Sequence, residues 1–185
     1  MIALKLDDSQ VQSTLRQLHT KLGNLHKPMD EIGQYTVESV RKRFATSTGP
    51  DGQAWAARKS STISAMLDQR KNSRKKDGSL SASGQKFLSG SKILVASGAL
   101  EGSIAYEATS SSMTVKPGAL PYAAAHQFGN SPYVIRPKNK KALAFNGIVR
   151  KKVNHPGQTA RPYLGWSDED RSAIMDIMKS YLHTT

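Results

Sequence analysis

The sequence predicts an α+β fold in which an N-terminal helix pair and a C-terminal helix pack on a small, mainly antiparallel sheet with a projecting basic β-hairpin. Three observations predict this class. Apolar residues recur at helical spacing near both ends of the chain. In the middle, apolar and polar residues alternate with the period of two that is typical of a half-buried strand. An Asn-Gly pair at residues 146–147 separates two short apolar runs, which is a strong hairpin signal.

The first helix is predicted to begin at Ser9, which has capping-box spacing to Gln12, and to end at Gly23. Its apolar positions follow steps of four and three, so they share one face that is predicted to point inward: Val11, Leu15, Leu18, Leu22 and Leu25. Residues 2–6 are a candidate strand before this helix.

The second helix is predicted to open at Pro28, whose missing N–H costs nothing in a first turn. Its predicted inward positions lie four residues apart: Ile32, Thr36, Val40 and Phe44. The basic residues 41–43 are expected to close the helix by facing the negative end of its dipole. The two helices are expected to form an antiparallel pair.

The segment after the helix pair is predicted to be a turn over residues 45–55, because Gly-Pro and Asp-Gly both favour tight reversals. A short helix is predicted over residues 62–69. Residues 72–84 are rich in Lys, Ser and Gly and lack periodicity. We therefore expect a single domain over residues 1–185 with a flexible basic insertion at 70–86.

The second half of the chain alternates short strands with helical turns. Residues 103–108 are predicted to form a strand that pairs with 113–115, and residues 122–128 a short helix that Gly129 ends. A further strand is predicted over residues 133–136.

The last two predicted elements are a hairpin and a helix. A two-residue turn after residues 142–145 would place Leu143, Phe145 and Ile148 on one face. Ser167 is the predicted N-cap of the terminal helix, whose apolar positions are Ile174, Ile177, Met178, Tyr181 and Leu182.

The composition excludes several classes of site. There are no cysteines, so a disulfide framework, a cysteine zinc site, an iron–sulfur cluster and a thiol nucleophile are all ruled out. No apolar run approaches the roughly 18 residues of a transmembrane helix, and the N-terminus turns acidic before a signal peptide could form. We expect a protein with no membrane partner.

The charge is strongly positive, with 27 Lys and Arg against 14 Asp and Glu, or +13. Residues 56–92 hold nine basic residues against two acidic ones. Residues 136–152 hold seven cations and no acid: Arg136, Lys138, Lys140, Lys141, Arg150, Lys151 and Lys152. A polyanion is the expected partner, with a solvated charged face as the alternative. Because no helix-turn-helix, zinc finger or aromatic-rich platform is present, any nucleic-acid binding is expected to ignore sequence.

Signals for catalysis are weak. Asp51 precedes a glycine in a tight loop, which is typical of a turn. His126 and His155 are candidate general bases or metal ligands, but neither lies in a metal-binding helix pattern, and a lone His is more often structural. No nucleophile elbow or phosphate loop is present. We expect no enzymatic activity, no cofactor and no metal.

Four short motifs in order resemble a known family. They are Gly-Pro-Asp-Gly-Gln-Ala-Trp at 49–55, Leu-Val-Ala-Ser-Gly-Ala-Leu-Glu-Gly-Ser-Ile at 94–104, Tyr-Ala-Ala-Ala-His-Gln-Phe-Gly at 122–129 and Ala-Arg-Pro-Tyr-Leu-Gly at 160–165. This order resembles the virion morphogenesis (tail completion) proteins of Mu-like phages, and is similar to neck and tail-component proteins of other long-tailed phages. The basic stretch at 72–84 is longer than the family pattern needs.

The resemblance implies a non-enzymatic virion part, present in the host cytoplasm during assembly and then in the tail or neck of a phage or prophage particle. It implies a homo-oligomeric ring, with a hexamer as one candidate size, at the head-proximal end of the tail. The implied partners are other copies of the chain, tail tube or terminator proteins, neck proteins and passing double-stranded DNA. A non-sequence-specific nucleic-acid-binding module is the alternative.

The family positions carried over are expected to serve the fold or subunit contacts: Asp51, Gly52, Trp55, Ser97, Gly98, Leu100, His126, Gln127, Phe128, Gly129, Arg161, Pro162 and Leu164. The basic arm at 136–152 is the candidate for lining a DNA channel or reaching a neighbouring subunit, since cations on such a wall attract phosphates without reading bases.

Overall fold

The structure is a computed structural model that describes residues 9–145 and 148–183. Its elements are α1 (Ser9–Gly23), α2 (His26–Thr46), α3 (Ser60–Asp68), α4 (Ala82–Gly90), α5 (Ala99–Gly102), β1 (Ala105–Ala108), β2 (Met113–Lys116), α6 (Ala123–Phe128), β3 (Tyr133–Ile135), β4 (Leu143–Phe145), β5 (Ile148–Arg150), β6 (Val153–His155) and α7 (Asp168–His183). The predicted α+β class is confirmed. The candidate strand at 2–6 and the predicted Asn146-Gly147 turn lie outside the described residues.

The strands form three separate antiparallel pairs rather than one sheet: β1 with β2, β3 with β6, and β4 with β5. Helix α6 lies between the first pair and the other strands in the chain. The pairing of β4 with β5, in which Phe145 lies opposite Ile148, confirms the predicted hairpin strands. β6 is an element that the sequence reading missed.

The chain divides into two compact units. Of the described residues, the first unit contains 9–42, 103–118 and 166–183, and the second contains 43–102, 119–145 and 148–165. Helix α2 contributes residues to both units.

The first unit combines the predicted helix pair and C-terminal helix with the β1–β2 hairpin. Its core includes Ile32, Val40 and Ile104, all buried. The Tyr106 hydroxyl on β1 donates a hydrogen bond to Asp30 Oδ1 on α2 (2.8 Å). The two elements approach so closely that a β-carbon at Gly33 would overlap the ring of Tyr106. Glycine is therefore required where β1 meets α2.

Helix α7 begins with a reciprocal cap. The Asp170 amide donates to Ser167 Oγ (3.1 Å), and the Ser167 amide donates to Asp170 Oδ2 (2.8 Å). Ser39 Oγ on α2 donates to the other oxygen of the same carboxylate (2.6 Å). The buried Asp170 thus fixes both the start of α7 and its contact with α2, and the predicted Ser167 N-cap is confirmed.

Helix α1 has the predicted bounds at Ser9 and Gly23, but its apolar face is not covered as predicted. Leu15 and Leu22 are 55% and 56% exposed, whereas Leu18 and Leu25 are half-buried. Periodicity identifies an apolar face but does not say whether the chain supplies a surface to cover it. The prediction of an inward face is therefore wrong for Leu15 and Leu22.

Helix α2 confirms its predicted inward residues, since Ile32, Thr36, Val40 and Phe44 are all buried. It begins two residues before Pro28, because Asn24 Oδ1 accepts a hydrogen bond from the amide of His26 (3.0 Å). It continues to Thr46, so the basic residues 41–43 do not end it.

Arg43 corrects the expectation that all three of these cations face the helix dipole. Its side chain is buried and donates from Nη1 to the carbonyl oxygens of Tyr163 (2.9 Å) and Gly165 (3.0 Å). Its role is therefore to hold the 160–165 segment.

The segment at 70–86 contains a bridged turn and the first half of α4. Arg74 and Leu80 pair across the turn, and Asp77 Oδ1 accepts hydrogen bonds from the Ser79 amide (2.9 Å) and hydroxyl (2.7 Å). The Ser79 hydroxyl hydrogen bond is the main reason that the pKa of Asp77 is lowered. The flexibility expected of this segment stays a prediction.

Candidate nucleic-acid and subunit interface

The net positive charge of the chain belongs entirely to the second unit. Residues 43–102 and 119–165 hold 18 Lys and Arg against 4 Asp and Glu, or +14, whereas the rest of the chain holds 9 against 10, or −1. No acidic residue occurs in the sequence between Glu107 and Asp168. The excess of positive charge is therefore confined to the second unit.

The basic arm lies within a two-stranded ribbon. The β3–β6 pair continues in register through the Asn130–Gln158 bridge at one end. At its other end, Ile135 lies opposite Val153, and the next ladder begins with Leu143 opposite Arg150. The two ladders are joined by residues 136–142 on one side and by residues 151–152 on the other.

The seven cations lie at the junction between these ladders. Four belong to the seven-residue connection, two to the two-residue connection, and Arg150 to the last position of β5. All seven side chains are exposed. Within the described part of the chain, none of them forms a salt bridge with an acidic group. The ribbon thus brings together the predicted basic residues of both flanks: Arg136, Lys138, Lys140, Lys141, Arg150, Lys151 and Lys152.

The 160–165 segment gathers three of the four sequence motifs. Trp55 Nε1 donates to the Pro162 carbonyl oxygen (2.8 Å). Arg161 donates from Nε to the carbonyl oxygen of Ala56 (2.8 Å) and from Nη2 to that of Ala57 (3.1 Å). The loop after α2 is therefore bound to this segment at two adjacent places.

Gln127 fixes the same segment from α6. Its Oε1 accepts hydrogen bonds from the amides of Tyr163 and Leu164 (3.0 Å each), and its Nε2 donates to the Leu164 carbonyl oxygen (2.9 Å). An amide side chain is suited to this because it is donor and acceptor at once. The His-Gln-Phe-Gly motif is thus joined to the Arg-Pro-Tyr-Leu motif.

A cluster of three aromatic rings lies at the centre of the second unit. Phe44 packs against Trp55 and Tyr163 with ring centroids 5.5 Å apart in both pairs. The Tyr163 hydroxyl donates to the Ala123 carbonyl oxygen (3.2 Å), and burial raises the pKa of Tyr163. Tyr163 belongs to the core, although the sequence reading assigned its neighbours rather than this residue to the family positions.

Two motif glycines adopt positive φ in different surroundings. Gly129 has φ +70°, and a β-carbon there would lie 2.7 Å from the Gln158 carbonyl oxygen and 2.8 Å from the Ala160 amide nitrogen. Gly52 has φ +75° with open space around it, beside Asp51, whose Oδ1 accepts from the Gln53 amide (3.1 Å). Gly129 thus closes α6 against a packed backbone.

The remaining motif, at residues 94–104, contains helix α5. Ser97 Oγ accepts a hydrogen bond from the Ala99 amide (3.3 Å), Gly98 has φ +74°, and Leu100 is buried. Phe128 differs from the buried motif residues Trp55 and Leu100, because it is 78% exposed.

A cleft of about 560 Å³ opens in the second unit. Both predicted histidines, His126 and His155, line it, together with Arg161. His126 Nδ1 is hydrogen-bonded to Gln158 Nε2, and burial lowers the pKa of His126, which nearby Arg161 lowers further. His155 stacks on Tyr133 with ring centroids 4.7 Å apart. The structure thus brings the two histidines to one cleft, which the sequence reading left open.

A metal site does not assemble around these histidines in the described residues, where no group of three or more His, Cys, Asp or Glu side chains converges. None of the described helices combines the length and the apolar composition that crossing a bilayer requires.

Comparison with known protein families gives a match over nearly the whole chain. Residues 6–183 match the model of the phage virion morphogenesis family. The chain belongs to this family. No curated protein matches the chain, and no solved structure matches it. Membership of the virion morphogenesis family makes this a phage virion assembly protein, and the matched range includes the motifs, the basic ribbon and the cleft.

Proposed function

We propose that this virion morphogenesis protein completes the head-proximal end of a phage tail and enables head–tail joining, as a non-enzymatic subunit of a homo-oligomeric ring. The family match over residues 6–183 carries this proposal. It is supported by the structural role of three motifs. Trp55, Gln127 and Arg161 each donate hydrogen bonds to backbone carbonyl groups of the chain.

The basic ribbon has a part in this proposal. A ring through which DNA passes benefits from cations that attract phosphates without base readout, and the ribbon has seven exposed cations without acidic partners in the described structure. We propose that the ribbon lines the channel or reaches the neighbouring subunit. The other partners in this proposal are tail tube or terminator proteins and neck proteins, in the tail or neck region of the particle.

The test is electron microscopy of the particles made when this gene alone is deleted, with complementation by the intact gene as the control. We expect unattached filled heads together with abnormal or unjoined tails. Normal, infectious particles would remove the tail-completion role.

A second round of complementation separates the ribbon from general loss of charge. One variant changes five ribbon lysines to glutamine: Lys138, Lys140, Lys141, Lys151 and Lys152. The matched control changes five exposed lysines elsewhere in the same unit: Lys71, Lys75, Lys76, Lys86 and Lys92. We expect only the ribbon variant to fail in complementation. Equal complementation by both would remove the ribbon from the proposal.

The alternative function is a non-sequence-specific nucleic-acid-binding module, and the +14 of the second unit favours it. Such a module binds duplex DNA as an isolated monomer more tightly than the non-specific range of roughly 10⁻⁴–10⁻⁶ M at physiological salt. A ring subunit binds weakly alone and gains affinity on assembly. Binding by the monomer, measured alongside the deletion phenotype, distinguishes the two.

A further inference from the structure

The cleft in the second unit has a positively charged lining. Three cations line it, namely Arg58, Lys59 and Arg161, and its described lining contains no carboxylate. Its volume of about 560 Å³ lies within the range of sites that take small ligands or parts of larger ones. The cleft is therefore a concave, positively charged surface.

The two guanidinium groups are held in place by neutral partners. Arg58 donates to the carbonyl oxygens of Ser91 (3.1 Å) and Lys92, and Arg161 donates to those of Ala56 and Ala57. A carbonyl orients a guanidinium without cancelling its charge. Burial lowers the pKa of Arg161, and nearby Arg58 lowers it further. An anion between these groups would relieve their repulsion.

Two imidazoles, those of His126 and His155, also line the cleft. His155 Nδ1 accepts a hydrogen bond from the Gly157 amide (3.1 Å), and His126 Nδ1 pairs with the side-chain amide nitrogen of Gln158. An imidazole whose Nδ1 accepts a hydrogen bond can donate one only from Nε2. The two rings thus add polar groups to the lining of the cleft.

Part of the remaining lining of the cleft is apolar. Met66, Ile93, Leu94 and Val95 form an apolar wall beside the cations. We infer that this cleft binds a phosphate group of a nucleic-acid strand, with the adjoining sugar or base against the apolar wall. The β-strand β6 of the ribbon ends at His155, which lines the cleft. A single nucleic-acid strand can therefore contact the cations of the ribbon and then this cleft.

This inference rests on the nucleic-acid contact in the proposed function, but not on the ring. Its test is a titration of the full chain with inorganic phosphate, and separately with a short oligodeoxythymidylate, at constant ionic strength. Backbone amide chemical shifts report where each probe binds. We expect saturable shifts at residues 57–62, 93–96 and 155–161 with both probes.

The variant is Lys59→Glu, which reverses one charge of the cleft at an exposed position before α3, where a carboxylate is compatible with the helix N-terminus. The matched control is Lys86→Glu, an equal charge change at an exposed position of the same unit outside the cleft lining. We expect Lys59→Glu to weaken both probes by about tenfold, as the loss of a contact to a charged group predicts, and Lys86→Glu to leave the cleft shifts in place.

Two results would overturn the inference. If neither probe gives saturable shifts in the cleft, it is not an anion site. If phosphate binds there but the oligonucleotide shifts only residues 136–152, the cleft takes a free anion and the nucleic-acid assignment is wrong. Normal particles after gene deletion would leave a positive titration standing, so failure of the ring proposal is distinguishable from failure of this one.

Discussion

The indole nitrogen of Trp55 donates a hydrogen bond to the carbonyl oxygen of Pro162 across 107 positions of sequence, at 2.8 Å. The ring packs edge-on against Phe44 at the same time. One side chain therefore joins the loop after α2, the end of α2 and the 160–165 segment.

Trp55→Phe is expected to lower the free energy of unfolding by about 1–3 kcal/mol, because the Pro162 carbonyl loses its donor while an aromatic ring still fills the site. Urea unfolding measures this. Trp166→Phe, at a side chain that is 44% exposed, is the control and should stay within about 0.5 kcal/mol of the unchanged protein. Equal stability of both variants would contradict the packing role of Trp55.

Gly129→Ala is expected to cost more stability than Gly52→Ala, although both glycines have positive φ. Alanine at 52 is destabilised only by the left-handed backbone conformation, which costs about 1–2 kcal/mol. Alanine at 129 meets two backbone atoms as well, which adds a packing cost of about 1–3 kcal/mol. Thermal or urea unfolding of the two variants side by side measures the difference, and matching values would show that the backbone around Gly129 moves aside.

Changing five ribbon lysines to glutamine is expected to flatten the salt dependence of duplex binding. These residues are Lys138, Lys140, Lys141, Lys151 and Lys152. The slope of log K against log salt should fall by up to about 4.5, because each neutralised phosphate contributes about 0.9. The five-lysine control in the rest of the second unit should change the slope less. An unchanged slope in the ribbon variant would remove the channel-lining role and leave subunit contact.

The stability of the fold is expected to fall with acidification through His126. Burial and Arg161 lower the pKa of His126 in the folded chain, whereas in the unfolded chain it returns to about 6.5. The unfolded chain thus binds a proton that the folded chain rejects, so stability is lost as pH falls from about 6.5 to the lowered folded value.

His126→Asn should reduce this loss, since asparagine keeps an acceptor for Gln158 without titrating. Urea unfolding between about pH 7.5 and 5 measures the effect. His19→Asn, at an exposed position of α1, is the control. Parallel pH profiles for the unchanged protein and His126→Asn would refute the assignment.

The elements that the sequence predicts well are those whose signal is local. The four-residue spacing of Ile32, Thr36, Val40 and Phe44 leads directly to a buried face. The cap at Ser167 requires only residues three positions apart. The same local signal cannot report a partner surface. For this reason the spacing of the α1 leucines predicts an inward face, although Leu15 is exposed.

The candidate site is harder to predict because it is assembled from distant segments. The cleft takes its cations from residues 58–59 and 161 and its apolar wall from residues 66 and 93–95, and no local pattern links them. A cation near a helix end predicts that Arg43 faces the helix dipole, whereas its two acceptors lie 120 and 122 residues further along the chain. The sequence signals for these cations are the excess of basic residues over 56–92 and the absence of acidic residues between Glu107 and Asp168.

Any β-carbon at Gly33 would overlap the ring of Tyr106. Substitutions at these two positions therefore depend on each other. A larger residue can be accepted at 33 only after position 106 has become smaller, and that change also removes the hydroxyl that Asp30 holds. The order of substitutions is therefore constrained. Among related chains we expect glycine at the first position wherever the second is aromatic, and paired replacement elsewhere.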